Sequence, residues 1–443
     1  MGVATGSLTN LATRVASTLG LLALTVVAAR MGAQVQGAFA LFASAEALLV
    51  AAGSGLGLAL SRQVSRQGAG GGASLGLMRA CTWLALGLGS AAAAALALAA
   101  WLAPASWWPA ALLAPVAPGA PAPWLLLAVS APVLLLAPTL SGWWLGQGRM
   151  GPLAALTLSA PWGALTLVLV LQLAGHAGLW PLLAAWVAAR LAVAVCLMGV
   201  MGSVGRRVRP DWAVLRPMAG FVAAVGLANL VSLANYRVGL FVVERAVGVA
   251  EAGVYSIASV AAELLWFVSS AVTQAAWGRI GQPDRHAAAA LTVRVLQLGV
   301  VALALAAPLL LALAWWIVPV LLGPEYAAAR WPLVLLLPGV VLFGGASALS
   351  AWFTSHAGRP GVAARVAGLS LLLHGGLATW WVPLLGPSGA ALAATTAFTV
   401  ASVTLGWRFA RDAGLPLAAL WRPGPHLAAD LRALARAFRL GKG

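Results

Sequence analysis

Four ionisable residues stand where water is expected to be scarce. Glu46, Arg190, Glu263 and His374 each fall well inside an apolar run about 20 residues long. With a rise of about 1.5 Å per residue and a hydrocarbon core about 30 Å thick, those positions lie close to a bilayer midplane. An ionisable side chain there costs roughly 2.5–3.5 kcal/mol, so it faces a partner or a hydrated cavity. For Glu46 and Glu263, two readings stand side by side: a protonated or paired structural carboxylate between helices, or a group that meets substrate. Arg190 is either a substrate cation or one half of an ion pair inside the bundle. His374 is either a neutral, hydrogen-bonded core histidine or a gating or coupling relay.

Four further arginines lie nearer the ends of apolar runs, where long side chains reach out to water. Arg14 is placed on the cytoplasmic side. Arg30 and Arg245 stand beside outer turns and are candidate gating or coupling residues. Arg237 belongs to a long run kinked near Pro217, which leaves room for it inside a cavity. A guanidinium fork binds two oxygens at once and suits a phosphate.

The elements that would position these groups follow from composition. The chain of 443 residues is 62% hydrophobic and 8% charged, far from the roughly 25% charged residues of a soluble domain. Continuous apolar runs, rather than strict alternation, predict helices and exclude an outer-membrane barrel. About twelve spans are expected, near 10–31, 38–60, 79–103, 123–146, 150–173, 179–201, 213–238, 252–278, 291–318, 331–355, 361–383 and 389–409. The first is read as a retained span, not a cleaved signal, because no basic stretch precedes Arg14. Cys81 and Cys196 sit in apolar runs with no framework spacing, so neither a disulfide nor a metal is implied.

The spans fall into two similar halves. Gly32-Ala-Gln-Val-Gln-Gly37-Ala-Phe39 is echoed by Gly248-Val-Ala-Glu-Ala-Gly253-Val-Tyr255. Leu140-Ser-Gly-Trp-Trp144 with Gly148-Arg149-Met-Gly151 is echoed by Leu349-Ser-Ala-Trp-Phe353 with Gly358-Arg359-Pro-Gly361. Leu158-Ser159 and the turn at Gly175 and Gly178 return as Leu369-Ser370 and Gly386 and Gly389. Ordered echoes at near-constant offset indicate internal duplication. The fold class is therefore an all-α polytopic membrane protein with two six-helix lobes related by a parallel pseudo-two-fold repeat. The lobes are set at 1–201 and 218–410, joined by an interfacial linker over 202–217 and followed by a basic tail over 411–443.

Charge sets the orientation. The net charge of +17 is spread over joints between apolar runs, so it is read as topology and no nucleic acid partner is expected. Arg62, Arg66, Arg149, Arg206, Arg207, Arg209, Arg285, Arg359 and Arg411 fall after even-numbered spans, whereas the long joint from Ala103 to Pro123 is uncharged. Both termini are therefore expected in the cytoplasm. In the tail, Leu427, Leu431, Leu434 and Phe438 share one helical face, with Arg432, Arg436 and Arg439 around the rest. Such a helix suits either an anionic lipid surface or a solvated topogenic tail. No phosphate-binding loop, paired acids or histidine ligand spacing marks a soluble catalytic site, so a transporter rather than an enzyme is expected.

Several of these motifs carry a resemblance. Gly32…Gly37-Ala-Phe39, Asn235-Tyr236-Arg237…Gly253-Val-Tyr255-Ser256, Leu322-Gly-Pro-Glu-Tyr326, Leu337-Pro-Gly339 and Gly358-Arg-Pro-Gly361 resemble the Wzx-type oligosaccharide flippases. That family is part of the multidrug/oligosaccharidyl-lipid/polysaccharide exporter superfamily, and the resemblance extends over residues 7 to 410. It implies two lobes in a V, with spans 1, 2, 7 and 8 lining a central cleft, and a substrate of sugars on a polyprenyl pyrophosphate. It implies that Glu46 and Glu263 are cleft residues and that Arg14 and Arg237 are cleft cations. The family often has an acid near position 239, where this chain has Gly239. The extra spans of MurJ-type flippases are absent.

The resemblance further implies a monomer in a bacterial cytoplasmic membrane, in contact with membrane lipids. A polysaccharide polymerase and glycosyltransferases are candidate partners. No cofactor is expected; H+, Na+ and the membrane potential stay open as the driving force. Two other functions remain: a cation-coupled multidrug exporter of the same superfamily, and a membrane-embedded glycan transferase or polymerase.

Overall fold

The computed structural model describes residues 3–67, 72–102, 104, 109–113, 122–205, 208–422, 427 and 429. Among them there are twelve helices long and apolar enough to cross a membrane and no strand. They are α1 (Ala12–Arg30), α2 (Ala33–Gly53), α3 (Ala73–Leu102), α4 (Pro123–Gly146), α5 (Met150–Leu173) and α6 (Leu179–Gly202). The series continues with α7 (Trp212–Val247), α8 (Val249–Gln274), α9 (Arg285–Leu322), α10 (Pro324–His356), α11 (Gly361–Leu385) and α12 (Pro387–Ala413). Helices are forced by the setting: in hydrocarbon every backbone N–H and C=O must be satisfied within its own segment. The chain is a multi-pass membrane protein.

It divides into two compact units, Met1–Leu233 and Ala234–Gly443, with the division inside α7. Each unit repeats one packing scheme. In the first, α4 lies on α3 and α6, and α5 lies on α6; in the second, α10 lies on α9 and α12, and α11 lies on α12. The duplication reaches the backbone angles. Gly32 caps α2 at φ 111° and ψ 156°, and Gly248 caps α8 at φ 108° and ψ 170°. A side chain would strain both positions, so glycine is fixed at the same point of each copy.

Two features differ from the sequence expectation. The polar stretch after Gly32 is already helix, since α2 begins at Ala33 rather than near residue 38. Its glutamines are acceptable helix formers, and the turn itself needs only Met31 and Gly32. The spans read as single runs are also interrupted. The second breaks at Ser54 before resuming as Gly55–Gln67, and α8 breaks at Leu264 and Leu265. At these breaks Ser54 N–H and Leu264 N–H bond three residues back, to Ala51 O and Ala261 O at 3.2 Å each. A tightened turn inside an apolar run leaves no mark on hydropathy, which is why the periodicity misses it. Matching interruptions occur at Leu135 in α4 and at Ala346 in α10.

Small residues let the interrupted helices approach. A β-carbon on Gly142 of α4 would run into the Gly57 carbonyl, and one on Gly57 into the Pro138 carbonyl. Without a hydrophobic drive between helices in lipid, such close backbone contact supplies the packing energy. At one end of the second unit, Asp412 gathers three helices. Its carboxylate accepts from Trp352 Nε1 at 3.0 Å and pairs with Arg359, while Arg285 donates to its carbonyl. Gln297 Nε2 then donates to the Arg422 carbonyl at 2.7 Å, which ties the last described turn to α9.

In the linker, Asp211 caps Trp212–Leu215 by accepting from Ala213 and Val214 N–H at 3.0 and 3.2 Å. Arg206, Arg207, all but residues 427 and 429 of the tail helix expected over 426–440, and most of the uncharged joint lie outside the described residues. Gly142→Val is expected to overpack the crossing by about 1–3 kcal/mol. That appears as a lower thermal midpoint and yield of detergent-solubilised protein. Gly151→Ala, which points into open space, leaves both unchanged.

Candidate functional site

In the first unit, the repeat places Glu46 deep on α2, and α6 brings two residues to it from successive turns. Arg190 forms an ion pair with the Glu46 carboxylate, and Trp186 Nε1 donates to its other oxygen at 2.6 Å. The guanidinium lies over the Trp186 ring at 4.2 Å from its centroid. Phe39 closes the group with an edge-to-face contact on Trp186 at 5.3 Å. The Glu46 side chain is 3% exposed and that of Arg190 26%. Glu46 therefore sits in the interior of its unit with both oxygens occupied, an arrangement that fixes α2 against α6. Trp186 was not singled out from sequence. Its spacing of four residues before Arg190 is the signal that could have marked it.

The second unit solves the same problem differently. Arg237 on α7 donates to Glu263 through both ends of its fork, Nη1 to Oε1 at 2.9 Å and Nη2 to Oε2 at 3.2 Å. Both side chains keep about a quarter of their surface, 24% and 26%. Glu263 is the last residue of the first segment of α8, so the pair sits on the helix interruption. This is the one candidate carboxylate–arginine pair that is both bidentate and accessible. It can exchange one dianionic or anionic partner for another without unfolding a core.

Close by, α7, α8, α11 and α12 share a buried polar group. His374 Nδ1 lies 2.8 Å from the Asn235 carbonyl, Asn235 Nδ2 donates to Ser370 Oγ at 3.0 Å, and Ser370 Oγ donates to the Ala397 carbonyl at 3.3 Å. A β-carbon on Gly239 would sit 2.8 Å from Tyr255 Oη and 3.1 Å from His374 Nε2. The space a side chain at 239 would take is thus filled by those two groups. Tyr236 begins an aromatic stack with Trp266 at 4.6 Å, and Phe343 and Phe398 extend it at 4.8 Å from each other. Asn235, Tyr236 and Tyr255 stand in the motifs that carried the family resemblance, but no chemical role was attached to them. Ser370 entered only as part of a repeat echo, and Trp266 was not singled out.

Arg14 and Arg245 are exposed on α1 and α7. Arg30, at the end of α1, lines an open cavity of about 610 Å³ together with Val26, Val27, Met31, Gln172, Ala177 and Gly178.

The internal pair in the first unit gives a stability prediction. Breaking a buried ion pair by removing one partner costs about 3–5 kcal/mol, whereas replacing both by apolar groups is often neutral. Glu46→Met and Arg190→Met are each expected to lower the thermal midpoint in detergent, and the double variant to recover most of the loss.

A family model described as "Polysaccharide biosynthesis protein" matches residues 151–330, a segment that includes Arg190, Arg237 and Glu263. No curated protein sequence matches the chain. Among solved structures, it is similar to an inward-facing multidrug resistance MATE family transporter of the MOP superfamily, with a TM-score of 0.74 at 16% identity. That match covers 91% of this chain and 95% of the other. The lipid II flippase MurJ in an inward closed conformation matches with a TM-score of 0.65 at 13% identity, covering 94% of this chain and 89% of the other. A MOP superfamily transporter from Pyrococcus furiosus, with a binding pocket of reversed polarity, matches at 0.61 and 14%, covering 94% and 95%. At such identities the likeness speaks for architecture, and the chain has the fold of the MOP-superfamily transporters, with a polysaccharide-biosynthesis family match through its middle.

Proposed function

We propose that the chain is a flippase. It moves a polyprenyl-pyrophosphate-linked oligosaccharide from the cytoplasmic to the outer leaflet by alternating access, for surface polysaccharide biosynthesis in a bacterial cytoplasmic membrane. The observation that carries this reading is the polysaccharide-biosynthesis match over residues 151–330, within which lies the accessible Arg237–Glu263 pair. The fold likeness to lipid II flippase MurJ agrees with a lipid-linked cargo.

Arg237 is the proposed pyrophosphate ligand. Two phosphate oxygens present the same spacing to the guanidinium fork as the two carboxylate oxygens it now holds. Substrate therefore displaces Glu263, and the freed carboxylate at the α8 interruption is the local change that the helix registers. Arg14 and Arg190 remain further candidate cations, and Glu46 a candidate only if its pair with Arg190 opens. Arg30, Arg245 and His374 are kept as gating or coupling residues. Protons, sodium or the membrane potential supply the drive, the last worth about 2.3 kcal/mol per charge per 100 mV.

A multidrug exporter is the second reading, favoured by the fold likeness to MATE transporters. An exporter of cations calls for an acidic binding face, whereas Glu263 is neutralised by Arg237 and position 239 has no side chain. A transferase or polymerase calls for a polar loop with catalytic acids or bases, and the joint 103–123 contains neither.

Two substitutions of opposite sign test the assignment. Losing a charged hydrogen-bonded contact costs about 1.5–3 kcal/mol, so Arg237→Ala should weaken binding of a polyprenyl pyrophosphate roughly 10- to 100-fold. Glu263→Gln removes the competitor and should tighten binding while slowing transport. Both are read in proteoliposomes with a fluorescent lipid-linked oligosaccharide. Flipping no faster than in empty liposomes would sink the proposal.

A further inference from the structure

None of the residues that line the cavity at the end of α1 belongs to either carboxylate–arginine pair. Three elements form it. The end of α1 contributes Val26, Val27 and Arg30, the end of α5 contributes Gln172, and the turn into α6 contributes Ala177 and Gly178. Its volume of about 610 Å³ falls within the range of about 300–1,000 Å³ usual for small-ligand sites.

The lining is graded along α1. Val26 and Val27 stand four and three residues before Arg30, so the three share one face of the helix. They lie about one turn, ~5.4 Å, nearer the middle of the span. The cavity therefore has a polar end at Arg30 and Gln172 and an apolar wall that continues one turn deeper. No lining residue is acidic. Arg30 is exposed, and its guanidinium offers five N–H donors in a fork that matches phosphate oxygens.

The backbone at the polar end adds to the same preference. In the last turn of α5, the carbonyls of Val170, Leu171 and Gln172 already accept from Ala174, His176 and Gly175 N–H, at 3.0, 2.8 and 3.0 Å. Gly178, at φ 125°, opens α6 by accepting from Leu182 N–H at 3.3 Å. The negative helix end is thus capped, whereas the first N–H groups of α6 have no carbonyl in their own helix to meet.

We propose that this cavity binds the phosphate group of a lipid. Arg30 and Gln172 hold the phosphate oxygens, and the first part of the lipid chain lies along Val26 and Val27. A free phosphate ion would use the polar end and leave the valine wall unused, and an uncharged lipid would do the reverse. An amphiphile with an anionic head uses both. The site belongs to the first unit, whereas Arg237 belongs to the second. With the orientation expected from the arginine distribution, this end of α1 is the outer face, which suits a lipid-linked carrier after its crossing. Phosphate binding here depends neither on that orientation nor on the assignment of Arg237.

The test uses the full chain in a maltoside detergent with farnesyl phosphate as the probe. Ala177→Cys is the reporter, in a background of Cys81→Ala and Cys196→Ser, because Ala177 is exposed and lines the cavity. Farnesyl phosphate should slow maleimide labelling of this cysteine, while farnesol and inorganic phosphate at the same concentration should not. Arg30→Gln should raise the concentration for half-protection about 10- to 100-fold. Gln172→Leu should raise it by a smaller factor, and Val26→Phe, which fills the apolar wall, should weaken protection with Arg30 in place. Equal protection by farnesol reduces the site to an apolar groove, and equal protection by phosphate reduces it to a free-anion site. Either result overturns the proposal, as does unchanged protection in Arg30→Gln. Should that variant fail to fold, unchanged protection in both Gln172→Leu and Val26→Phe is the refuting result. Arg237→Ala should leave protection intact, and its loss there would overturn this site. Failure of the wild type to flip an oligosaccharide carrier removes the proposed function and leaves this site standing.

Discussion

The constraint on which this structure depends is the cost of placing charge in hydrocarbon. An ionised side chain at the middle of a span must find a partner, and the geometry of that partner decides whether the group is structural or free to act. Glu46 and Glu263 stand nine and ten residues past the corresponding glycines, Gly37 and Gly253, of the two repeats. Glu46 is enclosed by Arg190 and Trp186 on the neighbouring α6, with 3% of its side chain exposed. Glu263 has no such neighbour: the matching helix, α12, carries no basic residue before Arg408. Its partner is Arg237 on α7, and the pair keeps about a quarter of its surface.

Duplication thus preserved the frame and released the chemistry. The capping glycines of α2 and α8 adopt nearly the same angles, and both helices are interrupted after corresponding segments. Such features are set by backbone sterics and by the close approach of helices, which tolerate few alternatives. Side chains inside each unit answer to local partners instead, and one pair is enclosed while the other keeps about a quarter of its surface.

The polar group around His374 shows the same logic at smaller scale. Asn235, Ser370 and the histidine hydrogen-bond between α7 and α11, and Ser370 reaches the Ala397 carbonyl of α12, so the low dielectric strengthens the network rather than penalising it. One atom of the set, Nε2, is left over.

Much of the architecture was legible in the residues alone. Apolar run length gave the twelve spans, because helix rise and bilayer thickness leave little choice, and the ordered echoes of glycine motifs marked the duplication. Counting along a helix set the expectation that Glu46, Arg190, Glu263 and His374 lie deep in their spans. What sequence could not supply was partnership. Glu46 with Arg190 and Arg237 with Glu263 join different spans, and which spans touch is decided by packing, not by hydropathy. The interruptions of α2 and α8 were also hidden, since a tightened turn costs one hydrogen bond and changes no composition. Tyr255 and His374 both close on the backbone of Gly239, where any side chain would meet them, and that approach exists only in three dimensions.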